Sequence, residues 1–161
     1  MLISRPIRSL SHVIVTVFLV LASPVLAFAE TITVHKTPWC GCCKHWVSHL
    51  IDSGFEVVIK ETDDLAPVRS SLGVPAALTS CHTAEVGGYV VEGHVPAAEI
   101  KRLLAERPKA KGLSVPGMPL GSPGMETSHA PDQYDVVLFS ENGVTRFATY
   151  VGAKLVPLAE E

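Results

Sequence analysis

HTAEVGGYVVEGHV, His82 to Val95, is the stretch on which the fold turns. Two runs of strand-forming residues meet at Gly87-Gly88, a two-residue hairpin connection of the kind that needs positive φ. Pairing Val86 with Tyr89 and stepping outward sets Ala84 against Val91, then Cys81 against His94. A second register, with the strand beginning at Pro75, would leave Cys81 roughly 20 Å from the open end, at about 3.3 Å per residue. The glycine turn favours the first register. It puts a cysteine and a histidine side by side where the hairpin opens.

The elements before the hairpin say what that open end meets. TITVHK (31–36) is rich in β-branched residues and reads as a strand, broken by Thr37-Pro38. From about Cys42, Trp46, Val47, Leu50 and Ile51 are spaced for one face of a helix, which Gly54 stops. FEVVIK (55–60) is a second strand, completing a right-handed βαβ unit. Asp63 or Asp64 can cap a short helix ending near Leu72, before Gly73-Val74-Pro75. In a thioredoxin-like sheet the hairpin runs antiparallel to the first strand, so its open end lies beside the N-terminus of the first helix. Pro96 opens an amphipathic helix, PAAEIKRLLAER. A long Pro/Gly-rich segment from Pro108 to Pro131 follows, of a length that marks a functional or disordered loop. A hairpin, YDVVLFS and VTRFATYV around Glu141-Asn142-Gly143, closes the chain. The expected fold class is α/β: a thioredoxin-like domain over 30–107, then a Pro/Gly/Met loop and β-hairpin extension over 108–161.

Residues 1–29 read as a cleavable signal peptide. Arg5 and Arg8 precede an apolar run from Val13 to Ala22, and Ala27-Phe28-Ala29 puts small residues where a signal peptidase reads. The alternative, an uncleaved anchor, has a short apolar run against it. Cleavage after Ala29 leaves 132 of the 161 residues, the size of one domain with one core. Without Arg5 and Arg8, 11 basic residues face 16 acidic ones, a net charge of −5. There is no basic cluster, so nucleic acid is not an expected partner. No membrane span is expected after cleavage.

All four cysteines fall in the exported part. Two disulfides would be the default in an oxidising compartment. The spacing argues otherwise: TPWCGCC crowds Cys40, Cys42 and Cys43 into one turn, and adjacent Cys42 and Cys43 cannot pair without strain. At a helix N-terminus, unsatisfied N–H groups and a partial positive charge ease thiol ionisation. The resulting thiolate is nucleophile and metal ligand alike. Cys40 and Cys43 alone would suit a C-x-x-C redox pair. Cys42 has no use in such an enzyme, whereas three soft ligands in one turn can bridge more than one metal ion.

Softness selects the metal. Thiolate with thioether suits Cu(I), while zinc takes thiolate and imidazole but rarely thioether. Beyond the leader the only methionines are Met118 and Met125, each after Pro-Gly in the long loop. They are either ligands or flexible apolar filler. Cys81, at the open end of the hairpin, is a ligand or an inert core thiol. His94 is a ligand by its pairing with Cys81, or a strand-end histidine bonded to backbone. Alternation turns His82 to the face opposite Cys81, which argues against it as a ligand. His35, His45 and His49 read as solvated, with His45 near enough to the cysteines to stay a candidate.

TPWCGCC, GVPAALTSCHTAEVGGYVVEGHVPAAEI and GLSVPGMPLGSPGM together resemble the CopG family of periplasmic copper-resistance proteins, over nearly the whole mature chain. The resemblance implies a thioredoxin-like domain whose C-terminal extension helps to bind metal. It also implies several copper ions per chain in a cysteine-bridged cluster, and interconversion of Cu(I) and Cu(II) beside a copper efflux or chaperone system in the periplasm. Carried over, Cys40, Cys42, Cys43 and Cys81 become bridging thiolates, with Met118, Met125 and His94 as terminal ligands. The chain is read as a monomer. The competing function is a thiol–disulfide oxidoreductase in which Cys40 attacks and Cys43 resolves.

Overall fold

The computed structural model describes residues 29–157; of the leader read in 1–29, all but Ala29 lies outside them. β1 (Thr31–Lys36) and β2 (Glu56–Glu61) run parallel, from Thr31 opposite Glu56 to Lys36 opposite Glu61, and α1 (Gly41–Asp52) crosses between them. Trp46, Val47 and Leu50 bury one face of α1, but Ile51, expected on that face, sits at its margin and is exposed. The helix stops at Ser53, whose N–H bonds back to His49 and Leu50, and Gly54 takes φ +90 to send the chain into β2.

Next come α2 (Ala66–Leu72) and a 3₁₀ turn (Ala76–Leu78). The acidic cap is Asp64, which sits one residue outside the N-cap and accepts the Ala66 N–H at 2.8 Å. Gly73, in the left-handed conformation, ends α2. β3 (His82–Val86) and β4 (Tyr89–Glu92) then form the glycine-turn hairpin in the expected register, with Val86 opposite Tyr89 and Ala84 opposite Val91. β3 runs antiparallel to β1, placing His82 opposite Lys36. α3 (Ala97–Glu106) follows Pro96.

The Pro/Gly-rich segment is not loop throughout. β5 (Gly112–Ser114) lies within it and pairs parallel with β4, where a side chain at Gly112 would overlap the Val90 carbonyl. β6 (Gln133–Ser140), β7 (Gly143–Val151) and a short β8 (Lys154–Val156) complete one eight-stranded sheet in the order β2-β1-β3-β4-β5-β6-β7-β8. The result is a mixed α/β structure in which the chain beyond Pro108 extends the sheet begun before it.

The helices divide between the faces. Trp46, Val47 and Leu50 of α1 and Ile100 and Leu103 of α3 pack with Ile32, Val34, Ala84, Val91, Leu113 and Val136 in the main core. Leu72, Val74 and Leu78 pack with Val90, Val137 and Phe139 in a smaller one, formed by alternate strand positions. Among the described residues no helix is long and apolar enough to cross a membrane.

Candidate metal centre

Antiparallel pairing brings the start of β3 to the end of β1, from which the chain turns into α1. Both arms of this junction are fastened. Lys36, 1 % exposed, donates from Nζ to the Thr37 carbonyl and to Glu61, each at 2.9 Å. Glu92, fully buried, accepts the Ser80 N–H at 2.7 Å, Arg69 Nε at 2.8 Å and the Thr83 hydroxyl; Arg69 also donates to the Ser80 carbonyl. Burial pushes the Glu92 carboxyl up, and its bonds from Thr83, Ser80 and Arg69 oppose that rise. The residue before Cys81 is thus held by a buried, fully bonded acid.

Cys40 is the N-cap of α1, its sulfur accepting the Cys43 N–H at 3.3 Å. Cys42 and Cys43 follow in the first turn, and Cys81 faces them from the start of β3. Sγ of Cys42 lies 3.6 Å from that of Cys40 and 3.8 Å from that of Cys81; Sγ of Cys43 lies 3.6 Å from that of Cys81. All four sulfurs lie within 4.8 Å of one another. Two thiolates sharing an ion at about 2.3 Å stand about 3.8 Å apart at a tetrahedral angle, so these separations suit a shared metal.

Cys40 and Cys43 are joined as a disulfide, and Cys42 and Cys81 are free. This differs from four simultaneous thiolates: only two sulfurs can ionise in this state, and the full set forms when the bond is reduced. Burial first, then the neighbouring Cys42 charge and hydrogen bond, push the Cys81 thiol up to about 12. A metal ion at Cys81 must therefore displace a proton.

Two histidines complete the surroundings of Cys81. His94, buried, has Nε2 3.0 Å from the Cys81 sulfur and Nδ1 2.7 Å from the Pro123 carbonyl oxygen. His82 corrects the alternation argument. Its ring is fully buried, 4.2 Å from Trp46 and 4.9 Å from His94 between centroids, with Nδ1 3.2 Å from the Cys81 sulfur. The reason is local: the ladder with β1 begins at His82, so Cys81 lies outside it and period-two alternation does not govern its side chain. Cys81, His82 and His94 set their ligand atoms within 4.8 Å of one another. Burial lowers the pKa of both histidines, His82 the more, and keeps them in the neutral form that can ligate. Among the described residues, Nε2 of His82 is the buried side-chain nitrogen or oxygen with no hydrogen-bond partner.

The other candidates separate. His45 is exposed as expected, and His35 bonds Glu85 at 3.1 Å. His49 is not simply solvated: its Nε2 accepts the Ala97 N–H at 3.1 Å at the start of α3. Met118 is 55 % exposed and Met125 half-buried. Their loop is pinned across the cysteine end. Gly117 donates to the Thr79 carbonyl at 3.1 Å and accepts from the Ser80 hydroxyl, next to Cys81. Gly124, at φ +85, packs so tightly on α1 that a Cβ would stand 2.6 Å from the Trp46 nitrogen and 2.8 Å from the Cys42 carbonyl oxygen. The Pro123 carbonyl that bonds His94 was not legible in the sequence, because a backbone acceptor has no residue signature.

Two solved structures, both titled as copper resistance protein CopG, match over this architecture. One, Form 2, is 46 % identical with a TM-score of 0.73, covering 76 % of this chain and 99 % of its own. The other, Form 1, has the same identity and TM-score and covers 78 % and 100 %. The chain belongs to the CopG family. Residues 78–125 also match the family described as "Protein of unknown function, DUF411". That segment holds Cys81, His82, His94, Met118 and Met125 but not the cysteine turn, so the wider CopG match is what spans both halves of the centre. Among curated proteins none matches the chain.

Proposed function

We propose that the protein binds several copper ions at the cysteine end of its sheet, as a periplasmic component of copper resistance, and interconverts Cu(I) and Cu(II) there. The observation that carries this reading is the convergence of four cysteine sulfurs within 4.8 Å. Soft donors at that density suit Cu(I), and the CopG relatives bear copper resistance in their titles. On this reading Cys40, Cys42, Cys43 and Cys81, once reduced, bridge the ions, and His94, Met118 and Met125 close their coordination. His94 is supported by its backbone bond, which orients a ligating imidazole in the way second-shell partners do. The methionines are supported by the anchoring of their neighbours Gly117 and Gly124 beside Cys81 and Cys42.

The β1–α1–β2 unit followed by β3–β4–α3, with sheet order β2-β1-β3-β4, supports a thioredoxin-like domain over 30–107. Residues 108–161 are then the extension that brings the loop. Cleavage after Ala29 delivers a monomer to the periplasm, where a copper efflux or chaperone system is its partner. Anaerobic Cu(I) titration of the reduced chain against a competing chelator tests the reading. More than one ion per chain is expected; an endpoint at one equivalent sinks the cluster, and no binding sinks copper altogether.

The Cys40–Cys43 bond favours a second reading, a thiol–disulfide oxidoreductase. Cys40 is half-buried at a helix N-terminus and Cys43 is buried behind it, as an attacking and a resolving thiol would be. Cys42→Ser separates the two. A disulfide enzyme keeps its activity in that variant, whereas a copper site loses metal, because hydroxyl is a hard, weak substitute for thiolate.

A further inference from the structure

Resting on the copper-binding reading, we propose that Cys40 and Cys43 are the electron source of the site: their dithiol reduces two Cu(II) ions as the disulfide forms, and Cys42, Cys81, His82 and His94 retain Cu(I). The step balances. Each cupric ion takes one electron, the two sulfurs form one S–S bond, and their two protons pass to water. Cupric ion is the oxidant, and no other reactant enters a single turnover.

The geometry divides the four cysteines in this way. Cys40 and Cys43 are the pair that is joined, with Cα atoms 5.4 Å apart, within the ordinary span of a disulfide. Joining them does not dismantle the remainder of the site. Cys42 and Cys81 stay free with their sulfurs 3.8 Å apart, and Cys81 keeps two imidazole nitrogens within 3.2 Å. A set of two sulfurs and two nitrogens is left in one place, soft enough to hold Cu(I). Each half of the redox pair also touches a sulfur of the retaining set, Cys40 against Cys42 and Cys43 against Cys81, both at 3.6 Å. An ion held by Cys42 or Cys81 is thus one sulfur away from an electron.

His82 supplies an independent observation. Its imidazole is fully buried against Trp46 and holds Nδ1 3.2 Å from the Cys81 sulfur, so an ion at Cys81 has a neutral nitrogen donor beside it. Cys42 likewise gains a reason for its place: it is the thiol left to hold the product.

The test uses the full chain, reduced with excess dithiol and desalted without oxygen. Two equivalents of Cu(II) are added. The sample is then denatured with EDTA, a Cu(I)-specific dye and an alkylating agent. The expected result is two Cu(I) per chain, a fall from four free thiols to two, and the lost pair mapped to Cys40 and Cys43. Reduction with no thiol lost, loss of Cys42 with Cys81, or absence of reduction overturns the proposal. The Cys40→Ser/Cys43→Ser chain, left with the Cys42–Cys81 set, should hold Cu(I) no better than the oxidised parent and form at least about tenfold less Cu(I) from Cu(II) than the reduced parent; parental yield also overturns it. In the oxidised chain, His82→Phe should weaken Cu(I) binding about tenfold or more, and unchanged affinity removes His82 and with it the four-donor set. Direct Cu(I) loading keeps the two readings apart. A parent chain that binds Cu(I) but does not reduce Cu(II) overturns the electron source alone, and one that binds neither overturns both.

Discussion

The carbonyl of Pro123 fixes the tautomer of His94. A carbonyl only accepts, so the 2.7 Å contact puts the ring proton on Nδ1 and leaves Nε2 bare, 3.0 Å from the Cys81 sulfur. One bond thus orients a candidate ligand and ties the long loop to the open end of the β3–β4 hairpin. Replacing His94 by Ala should lower Cu(I) affinity about 10- to 100-fold. It should also destabilise the metal-free chain by about 1–3 kcal/mol, because the buried Pro123 carbonyl loses its donor. Chelator competition and urea unfolding read the two effects. A stability loss with unchanged affinity would reduce His94 to a packing residue.

Gly124→Ala tests the seat of the loop. The position has φ +85 and abuts the α1 backbone at Cys42 and Trp46, so even a methyl group must push the segment away. The expected outcome is a loss of more than about 1 kcal/mol in unfolding free energy, with weaker copper binding. Gly41→Ala is the control, since a Cβ there meets nothing within 4 Å and needs no unusual φ. Equal behaviour of the two variants would count against the close contact.

Copper binding should grow tighter with pH. Burial and the neighbouring Cys42 push the Cys81 thiol up to about 12, so the metal displaces its proton throughout the neutral range. Cys81 alone should raise affinity about tenfold per pH unit between pH 6 and 8, with release of one proton. Competition titrations in buffers of different ionisation enthalpy measure both. A flat profile would mean that Cys81 does not ligate.

The metal-free chain should be acid-sensitive below the ordinary histidine range. Burial depresses the pKa of His82 and His94 relative to 6.5, so the unfolded chain takes up protons that the folded chain refuses. The stability associated with neutral rings is fully present above about pH 6.5 and is lost as pH falls toward the depressed values. Urea midpoints at pH 7.5 and 5.0 should differ, and His82→Phe should flatten the difference. The same pH dependence in that variant would assign the effect to other groups.

Met118→Leu/Met125→Leu removes sulfur while keeping size and apolar character. Because Met118 is exposed and Met125 half-buried, metal-free stability should stay within about 1 kcal/mol of the parent. Copper should bind more weakly and raise the melting temperature less than in the parent. Parental copper affinity with a lower metal-free melting temperature would make both residues packing filler.

Period and turn chemistry made the scaffold readable from the residues alone. Gly87-Gly88 set the β3–β4 register to the residue, because two positive-φ positions in sequence admit few connections. The helical spacing of Trp46, Val47 and Leu50 located α1, and the cysteine turn fell at its start. Local pattern also carried Cys81 to His94 across the hairpin. What it could not carry were relations made by chain segments that meet only in the folded molecule. The β4–β5 pairing depends on backbone approach at Gly112, inside a segment whose Pro and Gly content reads as loop. His82 turned toward the cysteines because the ladder starts at that residue and releases Cys81 from alternation. The Pro123 carbonyl and the Gly124 contact were decided by tertiary structure, whereas Cys40 and Cys43, the joined pair, already stood apart by their C-x-x-C spacing. Backbone atoms carry no residue identity, so contacts made through them leave no mark in the sequence.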